Sequence, residues 1–280
     1  MNILIADSGA TKCEWCLLSG RKKKILNTQG ISPYFLNSSE IQQIIKAELL
    51  PVLGKREINK IYYYGTGCRG TPNKKIVYQA IEQIFSTAEI HVDHDLMGAA
   101  RALCGQSKGI VAILGTGSNS CYFNGNKILK NSPGLGYVLG DEGSGAYLGK
   151  KVLQHYLYQI FDEELRSRFD AQYDTNSSEI LEQVYKKPFP NRYLASFAIF
   201  LAENRGHYMI ENIIEDGVND FFFVHLSRYE ESRKTGLHFV GGGAYGFRDV
   251  LQDLALRYGL KIGRILKKPM DGLIQYHQQQ

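Results

Sequence analysis

Residues 7–12, DSGATK, lie between two short strand-like segments, and residues 114–119, LGTGSN, lie between two others. After each turn the pattern predicts a second strand, a hairpin turn and a third strand. Gly9 and Gly115 are 106 residues apart, and the two hairpin glycines are 105 apart. The spacing therefore predicts one supersecondary unit that the chain uses twice.

Helical segments follow each copy of this unit. Asn37-Ser38-Ser39-Glu40 has the spacing of a capping box and predicts a helix over 38–50. Residues 145–229 are mostly helical in pattern, and 237–241 form a last apolar strand. Strands that alternate with helices predict an α/β fold. A chain of 280 residues exceeds the usual size of one hydrophobic core, which favours two lobes.

Composition excludes several classes of protein. The net charge is +5, and its clearest basic run, residues 21–24, has no interleaved aromatic residues, which is typical of a solvated hairpin and not of a nucleic-acid site. No segment approaches the ~20 apolar residues of a membrane span, and the first residues lack a signal-peptide pattern. Five scattered cysteines indicate reduced thiols. We expect a cytoplasmic protein with neither a nucleic-acid nor a membrane partner.

Both glycine turns carry residue types that bind phosphate. Small residues let backbone N–H groups approach an anion, and Thr11 or Thr116 can add a hydroxyl donor. Only the first turn has an acid, Asp7, whose carboxylate can hold hydrated magnesium. A single glycine turn is typical of a plain hairpin. Two at matched places in a repeated unit predict that both contact the phosphates of one nucleotide.

Two other glycine segments resemble phosphate motifs only in part. Residues 143–151 lack the glycine and Gly-Lys-Ser/Thr spacing of a Walker A loop, which excludes that motif. Residues 65–70, GTGCRG, match Gly-x-Gly-x-x-Gly between a predicted strand and a predicted helix. A Rossmann domain normally opens on this motif, whereas here a three-stranded element precedes it. Dinucleotide binding is therefore disfavoured, and the role of residues 65–70 stays open.

Three more segments are candidates for a site. Asp95 stands between a predicted strand and a predicted helix, where a carboxylate can accept a proton from a substrate hydroxyl or serve as an ordinary N-cap. Residues 134–145 contain five glycines around Asp141 and Glu142, a density that favours ligand binding. Residues 241–244, GGGA, would let a flat ring or a phosphate lie against the backbone, with a tight strand-to-helix connection as the alternative.

Five motifs in this order span nearly the whole chain: DSGATK, DLMGAARA, LGTGSNS, GLGYVLGDEGSGAYLG and FVGGGAYGF. Together they resemble the BadF/BadG/BcrA/BcrD and N-acetylglucosamine kinase family of the sugar kinase, Hsp70 and actin superfamily. The resemblance implies an α/β fold of two ribonuclease-H-like lobes (the actin-like ATPase fold) with a nucleotide cleft between them. It implies an N-terminal lobe of residues 1–108, to which a helix at 269–280 crosses back, and a C-terminal lobe of residues 109–268.

The resemblance also implies roles for individual residues, with ATP and Mg as cofactors. Asp95 matches the catalytic base, and Asp7 matches the acid near the magnesium ion. The positions that match ATP and phosphate contacts are Ser8, Gly9, Ala10, Thr11, Lys12, Gly115, Thr116, Gly117, Gly241, Gly242, Gly243 and Ala244. The positions that match sugar contacts are Tyr34, Ser118, Asn119, Gly134, Leu135, Gly136 and Asp141. Tyr34 stands where these kinases have an asparagine, with Asn37 nearby, so the identity of the sugar stays open.

The leading hypothesis is an ATP-dependent kinase, commonly a homodimer in this family, for a small-molecule sugar such as N-acetylglucosamine or a related amino sugar. One alternative is an ATPase that activates a partner enzyme, as the 2-hydroxyacyl-CoA dehydratase activators of the same family do through a cysteine-held iron-sulfur cluster. Cys13 and Cys16 are three apart in a predicted strand and so point to opposite faces, which favours two separately packed thiols. The other alternative is a sugar sensor without turnover.

Overall fold

A computed structural model of the protein describes residues 1–9, 11–20 and 22–279. The chain divides into two compact units, Met1–Gln106 with Lys268–Gln280, and Ser107–Lys267. The strands are β1 (Asn2–Ser8), β2 (Lys12–Ser19), β3 (Lys22–Gln29), β4 (Lys60–Gly65), β5 (Glu89–His94), β6 (Gly109–Leu114), β7 (Ser118–Phe123), β8 (Ile128–Ser132), β9 (Leu237–Val240) and β10 (Ile262–Leu266). The α-helices are α1 (Ser38–Ile44), α2 (Leu50–Leu53), α3 (Thr71–Glu82), α4 (Asp95–Cys104), α5 (Gly136–Leu139), α6 (Gly145–Leu157), α7 (Glu163–Gln172), α8 (Ser177–Tyr185), α9 (Pro190–Ser196), α10 (Ala198–Glu203), α11 (Tyr208–Val224), α12 (Gly242–Gly246), α13 (Arg248–Arg257) and α14 (Met270–Gln278).

The first unit is built on a five-stranded sheet in the order β3-β2-β1-β4-β5. The strands β1, β2 and β3 pair antiparallel, whereas β4 pairs parallel with both β1 and β5. Because side chains alternate across a strand, Ile61 and Tyr63 enter the core shared with α1 and α3, while Tyr62 and Tyr64 face the other side. There the ring of Tyr62 stacks on that of His277 in α14, with centroids 3.8 Å apart.

Helix boundaries in this unit follow local capping chemistry. The capping box is confirmed, since Asn37 Oδ1 accepts from Glu40 N at 3.0 Å and Glu40 Oε2 accepts from Asn37 N at 2.8 Å. The helix continues from α1 through one π-helical turn, Ile45–Leu49, into α2. The N-cap reading of Asp95 is wrong, because α4 begins at Asp95 itself and His94 is its N-cap.

The second unit repeats the topology of the first. Its sheet has the order β10-β9-β6-β7-β8, again an antiparallel three-stranded meander beside two parallel strands. The repeated supersecondary unit predicted from the glycine spacing is therefore confirmed. The carboxyl ends of β6 and β9 are neighbours, since Ile113 is paired with Val240, so the segments that follow both strands emerge side by side.

Helices cover the sheet of the second unit around an aromatic core. Phe200, Phe221, Phe222 and Phe239 are completely buried. Leu194, Phe197 and Leu201, which have the spacing of one helical face, are buried in this core, but the helix breaks at Phe197 between α9 and α10. Among all helices in the described parts of the chain, none is long and apolar enough to cross a membrane.

Candidate active site

Three side chains of the first unit gather at one edge of its sheet. Asp7 lies near the end of β1, Thr66 follows β4, and Asp95 follows β5 as the first residue of α4. Because β1, β4 and β5 are parallel, their carboxyl ends lie at the same edge. Ligands of open α/β sheets bind at this edge. The structure thus brings together the two acids that the sequence singled out and adds a threonine that it did not.

The pKa of the Asp7 carboxyl lies well above its ordinary value. Burial is the main cause that raises its pKa from 3.8 to about 7, and the negative charges of Asp95 and Glu14 add to the effect. Lys268 opposes the shift only partly, since its Nζ is 2.6 Å from Glu14 Oε2. At neutral pH, Asp7 therefore exchanges easily between its protonated and charged forms.

Burial also raises the pKa of Asp95 above its ordinary value. The charge of His94 when it is protonated, the backbone N–H of Leu96 at 2.8 Å and a hydrogen bond from the Thr66 hydroxyl act in the opposite direction, although burial lowers the pKa of His94 itself. A raised pKa makes a carboxylate a stronger proton acceptor, and the hydrogen bonds fix its orientation. Asp95 is therefore suited to accept a proton from a substrate hydroxyl.

The donor set of these acids fits a magnesium ion. Mg²⁺ binds in proteins through one or two carboxylates, with water and substrate phosphates as the remaining ligands. Asp7 and Asp95 repel each other electrostatically, and a divalent cation would relieve that repulsion. Within residues 1–9, 11–20 and 22–279, no group of three or more His, Cys, Asp or Glu side chains is arranged to hold a metal by itself.

The first glycine turn is closed by its own backbone. Gly9 N donates to Lys12 O at 3.0 Å, and the Thr11 and Lys12 side chains are exposed. Ser8 is almost fully buried, and its Oγ lies 3.0 Å from the N and 3.1 Å from the O of Ile31. The Ser8 side chain therefore anchors the segment after β3. Ala10, also predicted to contact phosphate, lies outside the described residues.

The glycine cluster at 65–70 adjoins Asp95. Thr66 in this cluster donates a hydrogen bond to Asp95. The next residue, Gly67, has φ +79° and lies against the Tyr34 ring, since a Cβ added to Gly67 would be 3.0 Å from Tyr34 Cδ2. The ring of Tyr34 is 68% exposed, so one of its faces is open to a ligand. Sequence reasoning missed Thr66, although the unexplained glycine cluster was the available signal.

In the second unit, two predicted phosphate segments meet. Gly241 has φ +131°, and a Cβ there would collide with the carbonyl oxygen of Leu114, so only glycine allows this approach. The turn over Gly115 to Gly117 is held by the first N–H groups of α6, because Gly145 N donates to Gly115 O at 2.8 Å. The Thr116 side chain is exposed between these contacts.

The four positions at 241–244 differ in access. A Cβ on Gly242 would have no atom within 4 Å, so its backbone is open to a ligand, whereas a Cβ on Gly243 would be 3.2 Å from the Leu114 carbonyl oxygen. The Ala244 side chain is completely buried in the core of the unit, so only its backbone can contact a nucleotide. Tyr245 is 41% exposed, with the Arg248 guanidinium 4.8 Å from its ring centroid. Sequence reasoning missed this aromatic surface.

Asp141 lies in a cage of glycine backbone. It has φ 58°, a region that non-glycine residues rarely adopt. Its Oδ1 accepts a hydrogen bond from Gly136 N at 3.2 Å. A Cβ added to Gly117 would be 2.7 Å from Asp141 Oδ2, and a Cβ added to Gly134 would be 2.8 Å from Asp141 Oδ1. Burial raises the pKa of Asp141. A buried, backbone-oriented carboxylate of this kind is a suitable acceptor for ligand hydroxyl groups.

The other predicted sugar contacts differ in availability. Ser118 Oγ is buried and has no hydrogen-bond partner in the described part of the chain, which leaves it available to a ligand. Asn119 Oδ1 already accepts from Ser120 N and from Asn131 Nδ2, both at 2.9 Å. The Leu135 side chain is 61% exposed beside Gly136.

A buried histidine supports the acidic loop from behind. His225 is 2% exposed, and its Nε2 lies 2.9 Å from Glu142 Oε2 while its Nδ1 lies 2.9 Å from Ser132 Oγ. Glu142 is the chain neighbour of Asp141, so this pair fixes the loop that presents the carboxylate. His225 lies 83 residues from Glu142 along the chain, and no local pattern predicts the contact.

No family model matches the chain, but comparison with known proteins finds similar sequences and structures. A solved structure from Porphyromonas gingivalis, described as a candidate N-acetylglucosamine kinase, is 40% identical, with 99% of each chain covered and a TM-score of 0.95. The N-acetylmuramic acid/N-acetylglucosamine kinase of Clostridium acetobutylicum is 24% identical over 256 residues, 84% of this chain and 83% of that protein. A ROK family glucokinase from Streptomyces griseus, solved with glucose and AMPPNP, is 13% identical with a TM-score of 0.54 over 99% of this chain and 98% of its own, and shares the fold.

Proposed function

Because the chain belongs to the N-acetylglucosamine kinase family, within the sugar kinase and actin-like ATPase superfamily, we propose that it transfers the γ-phosphoryl group of ATP to N-acetylglucosamine or a related amino sugar. The predicted fold of two actin-like, ribonuclease-H-like units is confirmed. The observation that carries the proposal is the position of Asp95, a carboxyl with a raised pKa beside Asp7 at the carboxyl edge of the first sheet.

Asp95 acts as the general base. Its carboxylate accepts the proton of the sugar hydroxyl as the oxygen attacks the γ-phosphorus, and the Thr66 hydroxyl and the Leu96 N–H keep it oriented during the transfer. Phosphoryl transfer depends mainly on positioning and on charge stabilisation, so one well-placed acceptor is sufficient on the protein side. Asp7 would hold Mg²⁺, which when bound neutralises charge on the phosphate oxygens.

Backbone of three glycine segments holds ATP in this proposal. The exposed Thr11 and Thr116 hydroxyls and the N–H groups beside them bind phosphate oxygens. The open backbone at Gly242 approaches the nucleoside, and the exposed Tyr245 ring offers it a stacking surface. The buried Ala244 side chain serves packing, so its substitution acts on stability before it acts on ATP binding.

Asp141 and Ser118 bind the sugar. The carboxylate of Asp141 accepts sugar hydroxyl hydrogens, and the unpartnered Ser118 hydroxyl supplies a further donor or acceptor. The exposed Tyr34 ring, fixed against Gly67, supplies a flat apolar surface where related kinases have an amide. This difference makes an apolar substituent of the sugar, such as its N-acetyl methyl group, the expected contact of Tyr34.

Three further expectations belong to the proposal. We propose a homodimer located in the cytoplasm, which sedimentation of the purified protein and fractionation of cells would test. We also propose that the predicted lobes, residues 1–108 with 269–280 and residues 109–268, act as separate bodies during turnover. Limited proteolysis with and without ATP and sugar tests the last point, since ligands should protect the connections near residues 107 and 268.

The experiment that tests the function measures ADP release with ATP, magnesium and a panel of sugars: N-acetylglucosamine, N-acetylmuramic acid, N-acetylmannosamine, glucosamine and glucose. Asp95→Asn should fold and bind sugar but lose about 10²- to 10⁴-fold in kcat, the usual contribution of a general base. Asp174→Asn, at an exposed loop position, is the matched control and should keep full activity. Unchanged turnover in Asp95→Asn contradicts the assignment, and a wild-type protein that no sugar stimulates contradicts the proposed function.

A further inference from the structure

A pocket lies in the first unit, at the opposite edge of the sheet from Asp7 and Asp95. Its volume is about 400 Å³, and it is lined by residues at the start of β4 and β5 together with Arg101 of α4 and His277 of α14. Lys60 and Glu89 are paired in the sheet register, and Tyr64 is paired with Asp93 at the other end. Four residues of strand separate these two levels, roughly 13 Å. The pocket is therefore distinct from the candidate active site.

Arg101 brings a positive charge to this pocket, and none of the ion pairs between described residues includes it. Its guanidinium lies 5.6 Å from the ring centroid of Tyr64 and 5.4 Å from that of Tyr276, and Asp93 acts on it only at longer range. Its Nε is buried without a hydrogen-bond partner. Its Nη1 donates to the Tyr64 hydroxyl at 2.7 Å. Burial raises the pKa of Tyr64 to about 12, so this phenol stays neutral and supplies no counter-charge. Partly buried cations are normally paired with anions.

His277 brings a second unsatisfied donor. Arg101 can only donate, so the Tyr64 hydroxyl oxygen accepts from it. The hydrogen of the Tyr64 hydroxyl is then donated to His277 Nε2, at 2.9 Å. Burial lowers the pKa of His277 to about 3, and the imidazole is therefore neutral with its proton on Nδ1. This Nδ1–H is buried and has no acceptor among the residues that the structure describes.

We propose that this pocket binds a small oxyanion, a phosphate or carboxylate group, between the Arg101 Nε–H and the His277 Nδ1–H. Two orphaned donors, one of them charged, match an acceptor with two oxygens. Lys60 and His91 lie at the rim, where Glu89 already pairs with both, at 2.9 Å and 2.7 Å. The pocket has room for the small molecule that carries the oxyanion.

The test follows the ring signals of the histidines by NMR in the full chain, without ATP or sugar. The chain has seven histidines, and the variants His277→Gln, His91→Gln and His94→Gln assign the three that matter. Inorganic phosphate and acetate are titrated separately at constant ionic strength, with chloride as the reference. We expect the His277 signal to move in a saturable way with phosphate, acetate or both. The signal of His94, beside Asp95, reports any phosphate bound at the active site instead.

Arg101→Gln should weaken this binding at least about tenfold, because a charged hydrogen bond is lost. Arg101→Lys, which keeps the charge but loses the planar fork, should give an intermediate affinity and serves if the glutamine variant fails to fold. Lys127→Gln, in an exposed hairpin turn, is the matched control and should bind as the wild type does. A His277 signal that neither anion moves overturns the proposal, as does equal affinity in wild type and both Arg101 variants.

Discussion

Replacing Asp7 by asparagine should stabilise the first unit and make the gain depend on pH. In the folded state the Asp7 pKa rises from 3.8 to about 7, so the folded chain holds a proton that the unfolded chain has released between these two values. Stability contributed by the protonated carboxyl is present below about pH 4 and is lost as the pH rises to about 7. A pKa change of this size corresponds to about 4 kcal/mol in the free energy of unfolding. Because the Asp7 side chain is partly exposed, we expect a loss of about 2 to 4 kcal/mol.

Trp15 makes this effect measurable in one unit. It is the single tryptophan, it lies fully buried in β2, and its Nε1 donates to Thr28 Oγ1 at 3.1 Å. Urea unfolding followed by its fluorescence, at pH 5 and pH 8 without divalent cations, gives the free energy of unfolding of wild type and Asp7→Asn. The advantage of the variant should grow by about 2 kcal/mol or more between the two pH values.

An equal stability difference between Asp7→Asn and wild type at pH 5 and pH 8 would contradict the raised pKa of Asp7. Asp174→Asn should show no pH-dependent gain in the same assay. Asp95→Asn provides a further check, because the charge of Asp95 is the second cause of the raised Asp7 pKa. Its removal should lower the pKa of Asp7 and shift the loss of stability to lower pH.

Three further substitutions test the second unit. Gly117→Ala should fold and raise the KM for sugar about tenfold or more, since the nearest atom to the new methyl group is the movable Asp141 Oδ2 at 2.7 Å, and steady-state kinetics measures this. Gly134→Ala meets a backbone carbonyl oxygen that cannot move away, so thermal unfolding should show a loss of about 1 to 3 kcal/mol, and an unchanged Tm would contradict the packing. His225→Asn leaves Glu142 without its buried partner, so it should raise the KM for sugar while kcat stays within about twofold of wild type. A fall in kcat with an unchanged KM would argue for a different role of His225.

Local patterns predicted much of the framework. Strands β6 and β7 flank the glycine turn at 115–117 as expected, and the capping box at Asn37 starts α1, because both features depend on a few consecutive residues. Leu194, Phe197 and Leu201 have the spacing of one helical face and are buried, but the helix breaks at Phe197, which this periodicity does not record.

Local sequence patterns do not predict contacts between distant parts of the chain. Asp95 and Thr66 are in contact because β4 and β5 are neighbouring strands. The sequence around residues 65–70 alone therefore does not predict the contact that this glycine cluster makes with Asp95. The pair of Glu142 with His225 likewise depends on the position of α11. The sugar-binding role of Asp141 was implied by the resemblance alone, whereas the place of Asp95 after a strand already suggested a proton acceptor. Both roles stay predictions, which the burial and hydrogen bonds of the two carboxyls support.

Helix α14 gives the chain a particular order of maturation on the ribosome. Its residues Met270, Leu273 and Ile274 are buried in the first unit, and Gly272 lies so close to Ala102 of α4 that a Cβ there would collide with the Ala102 carbonyl. Residues 107–267 are translated before α14, so the second unit has all its residues available while the first still lacks a helix. The nascent first unit then leaves uncovered the apolar surface that Met270, Leu273 and Ile274 bury in the folded chain. Lys268, whose charge acts on Asp7, is likewise translated only after the whole second unit.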